Sequence, residues 1–501
     1  MSTRVHWVNT MTRRSLYALG LTMAVGVGAA YAGSPTVTPL AGQPSLLFGA
    51  YDTASVGYTN QEFVIAGEAT SYSMPQPPSR DGRWNASPAV KAPYVTRIVV
   101  MRPADAKRFN GTVIVEWLNV SGGVDSPAVW LMAHRQIVRA GYGYVAVSAQ
   151  KVGVEGGPSV MGPDSSLKKT QPQRYGSLRH PGDAFSYDIF SQAGRVVRNA
   201  RPGGILGPLT AKHIIAVGES QSAAFMTTYV NAVDTLARVY DGFLIHSRFG
   251  GASQLDGVMA IDAARGLAGI RLRPDLRVPV LTFITEGDLV GFHGVIGFYT
   301  ARQPDTDRLR TWELAGASHA DNYTIVVSPI DTGSVPVEKL AAAYAPTTSI
   351  LGEKVPKPIN FGPQQHYIVQ TALDGLERWV RTGAAPPTSP RIELTDTNSV
   401  RLVLDEHGIA KGGIRTPWVD VPTARLSSDP NPGSLMVALF GTSEVFEPAQ
   451  LKTLYPGGKA DYLKRFEAVL DRTIKQGFIL RADRQEILDL AAAMYPAGSS
   501  R

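Results

Sequence analysis

Ser220 stands between an apolar run and a helix-like segment, a setting that suits a nucleophile. Residues 214–217 are strand-like, Gly-Glu-Ser-Gln-Ser follows at 218–222, and an alanine-containing helical pattern comes next. A strand that turns sharply into a helix projects its central side chain from the sheet, and only small residues fit two positions before and after it. Gly218 meets this demand, and Ser222 stands where glycine is commonest. The pattern predicts a nucleophilic Ser220; the alternative is a serine that only caps the next helix.

A serine hydroxyl is a weak nucleophile until a base takes its proton, so a histidine must lie beside Ser220. Five of the nine histidines occupy unsuitable segments, namely His6, His134, His213, His366 and His407. Four others remain: His180, His246, His293 and His319. When the catalytic order along the chain is serine, acid, histidine, the histidine follows the last main strand. Only His319 does so, in a loop of small residues after the predicted strand 309–314, and we therefore predict that it is the general base.

The third member of such a site is a carboxylate that orients the imidazole and stabilises its charged form. It should follow the predicted strand 278–285, where Glu286 and Asp288 are both present. Strand alternation cannot choose between them, because it ends with the strand. A short turn after Thr285 favours Asp288, but the choice stays open at this point.

An oxyanion hole needs two backbone N–H groups directed at the developing negative charge. Gln221 is expected to give the first, since it follows the nucleophile at the start of a helix. The second is expected from the loop 119–123, whose paired glycines permit close backbone approach. Either Val120 or Ser121 fits this role.

The elements that must position these residues alternate between strands and helices. Near-continuous apolar strands separated by helices indicate a parallel sheet covered on both faces. The helix-like segments 186–198 and 221–232 fit between strands. The predicted strands are 94–102, 112–118, 142–148, 213–217, 242–246, 278–285 and 309–314.

Beyond the last of these strands, apolar residues recur at helical spacing over 368–380 and predict a helix that closes the main domain. Short β-like runs at 391–394 and 400–404, followed by two helices, are expected after it. We therefore predict a core domain over 33–389 and a C-terminal extension over 390–501 packed on that core. An insertion at 150–182 is expected to act as a lid.

The composition narrows the functional classes. The 501 residues are 44% hydrophobic and 18% charged, as in globular proteins. Cysteine is absent, which excludes disulfides, thiolate metal sites and a cysteine nucleophile. The formal net charge is +7, of which three charges belong to the first 32 residues, and no long basic cluster follows. We therefore expect no nucleic-acid partner.

The N-terminal segment has the features of an export signal. Arg13 and Arg14 precede an uncharged run over 16–27 and a small-residue ending, which predicts a signal peptide over 1–32. We expect a periplasmic or secreted protein without a membrane anchor. The segment 12–17 resembles a twin-arginine signal, although paired arginines also occur in ordinary signal peptides.

Several separate segments together resemble a bacterial family of exported proteins, the α/β hydrolase domain-containing proteins. The likeness runs from about residue 51 to near the C-terminus. The segments that carry it are 116–123 (Glu-Trp-Leu-Asn-Val-Ser-Gly-Gly), 147–150, 180–183, 187–194, 218–222 and 312–316.

The resemblance implies an α/β-hydrolase fold and hydrolysis of an ester-like bond. The family's serine carries over to Ser220 and its histidine to His319, while the acid stays open between Asp288 and Glu286. The expected function is that of a carboxylesterase-like serine hydrolase that acts on a small or oligomeric ester and needs neither metal nor cofactor. The alternatives are a non-catalytic binding protein with the same fold, or a hydrolase of amide bonds.

Overall fold

The computed structural model describes residues 33–46, 51–159, 161–258, 268–292, 294–395 and 399–496. The predicted signal peptide and His293 lie outside the described residues. Within these ranges, no helix combines the length and the apolar character that crossing a bilayer requires.

The described residues form one nine-stranded sheet at the centre of the fold, with the spatial order β1-β2-β3-β5-β4-β6-β7-β8-β9. Two short hairpin-like pairs, β10-β11 and β12-β13, lie outside it. The strands are β1 Thr36–Leu40, β2 Tyr58–Ser73, β3 Ser87–Pro103, β4 Thr112–Trp117, β5 Gly143–Val147, β6 His213–Glu219, β7 Gly242–His246, β8 Val280–Thr285, β9 Leu309–Leu314, β10 Ser349–Ile350, β11 Glu353–Lys354, β12 Ala424–Ser427 and β13 Thr442–Val445.

In the spatial order β5-β4-β6-β7-β8-β9 each strand pairs parallel with the next, whereas the pairs β1-β2, β2-β3 and β3-β5 are antiparallel. Parallel strands bring their carboxyl ends to one edge of the sheet, where ligands bind in folds of this class. The register aligns Glu219 at the end of β6 with His246 at the end of β7. It likewise aligns Thr285 with Leu314 at the ends of β8 and β9. The prediction of a mainly parallel sheet is confirmed.

Helices cover both faces of this sheet, as the sequence predicted. The helix predicted at 186–198 is observed with these bounds, and the one predicted from 221 ends earlier as an α-helix and continues as a π-helical turn, Tyr229–Val233. The α-helices are α1 Ala128–Ala140, α2 Lys151–Glu155, α3 Leu167–Thr170, α4 Pro172–Tyr175, α5 Ser186–Arg198, α6 Gln221–Thr228, α7 Asp234–Ala237, α8 Glu286–Val290, α9 Val337–Ala343, α10 Gln364–Thr382, α11 Pro417–Asp420, α12 Leu435–Ala438, α13 Pro448–Leu454, α14 Gly458–Gln476 and α15 Arg484–Met494.

Side chains from the two faces of the sheet enter separate hydrophobic clusters. On β3, Ile98 and Val100 belong to one cluster, and Val99 and Met101 to the other, as strand alternation requires. Helices α5 and α6 contribute to the first cluster, and α1 and α10 to the second. The sheet is therefore held from both sides.

The C-terminal region differs from the sequence prediction in two respects. The runs 391–394 and 400–404 pair through isolated bridges, such as Leu394 with Leu402, instead of forming continuous strands. In addition, α13, α14 and α15 follow where two helices were expected, because Pro456 and Gly457 lie between α13 and α14.

A buried ionic network links β2, β3 and the loop after β4. The Arg97 guanidinium, which is 0% exposed, lies 2.6 Å from a Glu62 oxygen and 3.1 Å from an Asp125 oxygen. The Ser148 hydroxyl also donates to Asp125. Because Asp125 follows the segment 119–123, which is predicted to supply an oxyanion donor, the network ties this loop region to the sheet.

We predict that Arg97→Met lowers the free energy of unfolding by about 3–5 kcal/mol, because it leaves the buried Asp125 carboxylate without its cation and Glu62 with Arg174 alone. Urea unfolding followed by circular dichroism measures the change. Arg484→Met is the matched control, since Arg484 pairs with the half-exposed Glu467 and Asp471. That substitution should cost at most about 1 kcal/mol. Equal losses in the two variants would contradict the role assigned to Arg97.

Candidate active site

Ser220 occupies the single position between β6 and α6. Its backbone angles are φ 57° and ψ −115°, a conformation that residues other than glycine rarely adopt. The Ser220 N–H donates to the carbonyl oxygen of His246, 2.9 Å away, which ties the bend to β7. The bend therefore sets the serine side chain at the carboxyl edge of the sheet, where its residue is 9% exposed.

The small residues around Ser220 are needed for this bend. A Cβ atom on Gly218 would lie 3.1 Å from the Ser222 carbonyl oxygen, closer than nearly all Cβ contacts in proteins. Ser222, which replaces the commoner glycine, is fully buried, and its hydroxyl has no hydrogen-bond partner among the described residues. Serine at this position is thus accommodated by the elbow.

His319 connects Ser220 to a carboxylate. Its Nε2 lies 2.8 Å from the Ser220 Oγ, and its Nδ1 lies 2.5 Å from an Asp288 oxygen. The Phe249 ring stacks on the imidazole with a centroid distance of 5.2 Å. The three polar side chains form one hydrogen-bonded series in the expected chain order.

The local structure after β8 explains why Asp288 reaches His319. Thr285 and Asp288 form a capping box at the start of α8. The second Asp288 oxygen accepts from the Thr285 N–H at 2.9 Å and from the Thr285 hydroxyl at 2.8 Å. With both oxygens engaged, the carboxylate is fixed in the orientation that meets the imidazole.

Glu286, the other candidate acid, does not contact His319. Its carboxyl accepts a hydrogen bond from the Gly316 N–H, in the loop that leads to His319. Burial raises the pKa of Glu286 to about 7, although the backbone hydrogen bonds oppose this shift. The structure therefore brings Asp288, and not Glu286, to the imidazole, and Glu286 holds the loop instead.

The charged form of His319 is favoured by its neighbours. Burial alone would lower the pKa of His319, but the negative charges of Asp288 and Glu219 outweigh burial and raise this pKa above its ordinary value. An imidazole of raised pKa is a stronger base once it is neutral. The site thus suits proton removal from Ser220.

Glu219 and Asn119 belong to the site, although the sequence reasoning missed both. A Glu219 oxygen lies 3.3 Å from His319 Nε2. The Asn119 amide donates to the other Glu219 oxygen and to the Glu219 carbonyl, each at 3.1 Å. The signal for Glu219 was present in the sequence: a carboxylate directly before the predicted nucleophile must lie at the same edge of the sheet.

The residues predicted to form the oxyanion hole lie close together, but their backbone N–H groups differ in whether they already have a hydrogen-bond partner. Gln221 opens α6, where backbone N–H groups have no partner within the helix. The Val120 N–H donates to the Gln221 side-chain oxygen at 3.2 Å, and the Ser121 N–H donates to the Asn119 side-chain oxygen at 2.8 Å. Both loop donors are therefore occupied by side chains in this state, and the choice between them stays a prediction.

His180 does not take part in this site, and the described residues hold no metal-binding cluster. His180 is buried, and its Nε2 contacts the Ala149 carbonyl oxygen at 2.8 Å instead of a group of the site. Over the part of the chain that the structure describes, no three histidine, aspartate or glutamate side chains cluster as a metal ion would require.

Sequence comparison agrees with this architecture. The family described as "Alpha/beta hydrolase domain" matches residues 27–489. The chain belongs to this family. It has the α/β-hydrolase fold that the sequence predicted, and the likeness covers nearly the whole chain. No curated protein matches it in sequence.

Several solved structures of esterases resemble this chain at low sequence identity. A fungal esterase from Rhizomucor miehei is 11% identical, with a TM-score of 0.31 and coverage of 64% of this chain and 85% of its own. A glucuronoyl esterase from Solibacter usitatus is 11% identical, with a TM-score of 0.29 and coverage of 56% and 82%. A thermostable esterase from Pseudomonas putida is 15% identical, with a TM-score of 0.30 and coverage of 56% and 79%.

We predict that Asp288→Asn slows labelling of Ser220 by a fluorophosphonate probe by at least about 10²-fold. The reason is that the imidazole loses the carboxylate that orients it and stabilises its protonated form. Glu286→Gln keeps an acceptor for the Gly316 N–H and should change the labelling rate only a few-fold. Time-resolved gel fluorescence of both variants measures the rates. The reverse order of the two effects would assign the acid to Glu286.

Proposed function

We propose that the protein is a serine hydrolase that cleaves carboxylic esters through an acyl-enzyme. The observation that carries the proposal is the hydrogen-bonded series from Ser220 Oγ through His319 to Asp288, with 2.8 Å and 2.5 Å between the paired atoms. These distances are those that a nucleophile, a base and an orienting acid require.

In the proposed first step, Ser220 Oγ attacks the ester carbonyl carbon while His319 Nε2 takes the hydroxyl proton. The carbonyl oxygen becomes an oxyanion, and the backbone N–H of Gln221, at the start of α6, is placed to stabilise it. The bond to the alkoxide oxygen then breaks, and the imidazolium gives its proton to that oxygen. An acyl group remains on Ser220.

In the proposed second step, a water molecule attacks the acyl carbon, and His319 takes the water proton. Collapse of the second oxyanion breaks the bond to Ser220 Oγ, which receives the proton back from the imidazolium. The acid leaves, and the serine is restored. Every proton in the cycle passes through His319 Nε2, so no metal or cofactor is needed for the proposed chemistry.

Apolar side chains near His319 support the proposal that the substrate is an ester with an apolar group. Phe249 and Phe292 are half-buried, and their rings meet edge to face at 5.6 Å. Phe292, Met161, Ala320 and Ile325 pack on one further apolar cluster. Met161 comes from the segment 150–182, which fits the proposed role of this segment as a lid over a small or oligomeric ester.

We predict that purified protein hydrolyses p-nitrophenyl esters and that Ser220→Ala lowers the turnover by at least about 10³-fold, because the nucleophile is lost. A series of acyl chain lengths should be assayed by release of p-nitrophenolate. Ser222→Ala is the matched control in the same turn, since its hydroxyl has no partner and should be dispensable. If wild-type protein neither turns over esters nor reacts with a fluorophosphonate, a non-catalytic binding role replaces the proposal.

A further inference from the structure

The Nε2 atom of His319 has two oxygen neighbours. Its Nε2 lies 2.8 Å from Ser220 Oγ and 3.3 Å from a Glu219 carboxylate oxygen. Asp288 already satisfies the opposite nitrogen. The proposed mechanism uses Ser220 and Asp288 but gives no task to Glu219.

Glu219 is held so that one of its oxygens stays with the imidazole. The Asn119 amide donates to the other carboxylate oxygen and also to the Glu219 backbone carbonyl. The side chain of Glu219 is only 12% exposed, so water screens its charge weakly. Its position at the last residue of β6, beside the bend at Ser220, leaves little freedom to move away.

We infer that Glu219 is a positioning residue that stabilises the imidazolium form of His319 from the side of Nε2. The inference rests on the proposed serine hydrolase function. During attack, the proton that leaves Ser220 Oγ arrives on Nε2, and the new N–H lies between Ser220 Oγ and the Glu219 oxygen. The negative charge favours this state before the proton passes to the leaving oxygen. Glu219 itself takes no proton in the cycle.

Charged and titratable groups from three further elements surround this pair. Asp288 from α8 is the other carboxylate beside His319, and the charge of Glu219 helps to raise the pKa of Glu116 in β4. His246 from β7 is close, but burial lowers its pKa to about 3, so it is neutral near pH 7. Burial raises the pKa of Glu219 to about 7, against the effect of His319. Glu219 is thus mainly ionised above this pH.

The test is the pH dependence of fluorophosphonate labelling in wild type and Glu219→Gln. Labelling needs neutral His319, so its rate rises with pH through the pKa of this residue. Removal of a negative charge beside His319 lowers that pKa, and the rise should move to lower pH by about one unit. The plateau rate should fall by up to about tenfold, since one pKa unit corresponds to a tenfold change in the stability of the imidazolium.

Glu286→Gln is the matched control, because Glu286 is also a buried glutamate of raised pKa but contacts Gly316 instead of His319. Its pH midpoint should coincide with that of wild type. Glu219→Asp keeps the charge, and its midpoint should lie nearer to wild type than that of Glu219→Gln. Calorimetry should find all three variants folded.

A Glu219→Gln midpoint that equals the wild-type value, or lies above it, would overturn the inference even if the plateau falls, since a purely structural role lowers the rate without moving the midpoint. Failure of the proposed function itself looks different. In that case wild-type protein is not labelled at all, or Ser220→Ala is labelled at the wild-type rate.

Discussion

The backbone of Ser220 is the constraint on which the site depends. Its positive φ costs of order 1–3 kcal/mol and persists only because the surrounding structure fixes it. The strand β6 is paired on both sides, the Ser220 N–H is bound to the His246 carbonyl oxygen, and α6 starts one residue later. Hydrophobic clusters on both faces of the sheet stabilise this arrangement. The parallel strands β8 and β9 end at the same edge of the sheet, so Asp288 and His319, which follow them, lie beside Ser220.

Those parts of the fold that depend on local periodicity could be predicted from the sequence. The strands 242–246 and 309–314 and the helix 186–198 match the observed bounds. The acid could not be chosen, because alternation ends at Thr285 and the capping box that turns Asp288 towards His319 is a three-dimensional contact. The C-terminal runs 391–394 and 400–404 lie where the sequence predicted them but pair only through isolated bridges, because three-dimensional contacts and not local periodicity decide which partners form a continuous ladder.

The loop after β4 shows how the ionic core and the site are joined. Asn119 binds Glu219 at one end of the loop, and Asp125 binds the buried Arg97 at the other. Within β4, the Glu116 carboxyl accepts from the first N–H groups of α1, including that of Val129 at 2.7 Å. Burial raises the pKa of Glu116 to about 8 despite these hydrogen bonds. The loop is thus anchored by polar groups that water does not reach, which suits a segment proposed to meet a developing charge.

Several buried carboxyl groups lie near this edge of the sheet, and their roles differ according to the group that each one contacts. Glu116 and Glu286 face backbone N–H groups, so they fix the start of a helix and a loop. Asp288 and Glu219 face the two nitrogens of one imidazole. A buried carboxylate is costly unless it is paired, and a positive charge on His319 pairs both of them at once. The proton transfer proposed for Ser220 creates that positive charge, so the same burial that destabilises the resting carboxylates favours the state through which the reaction would pass.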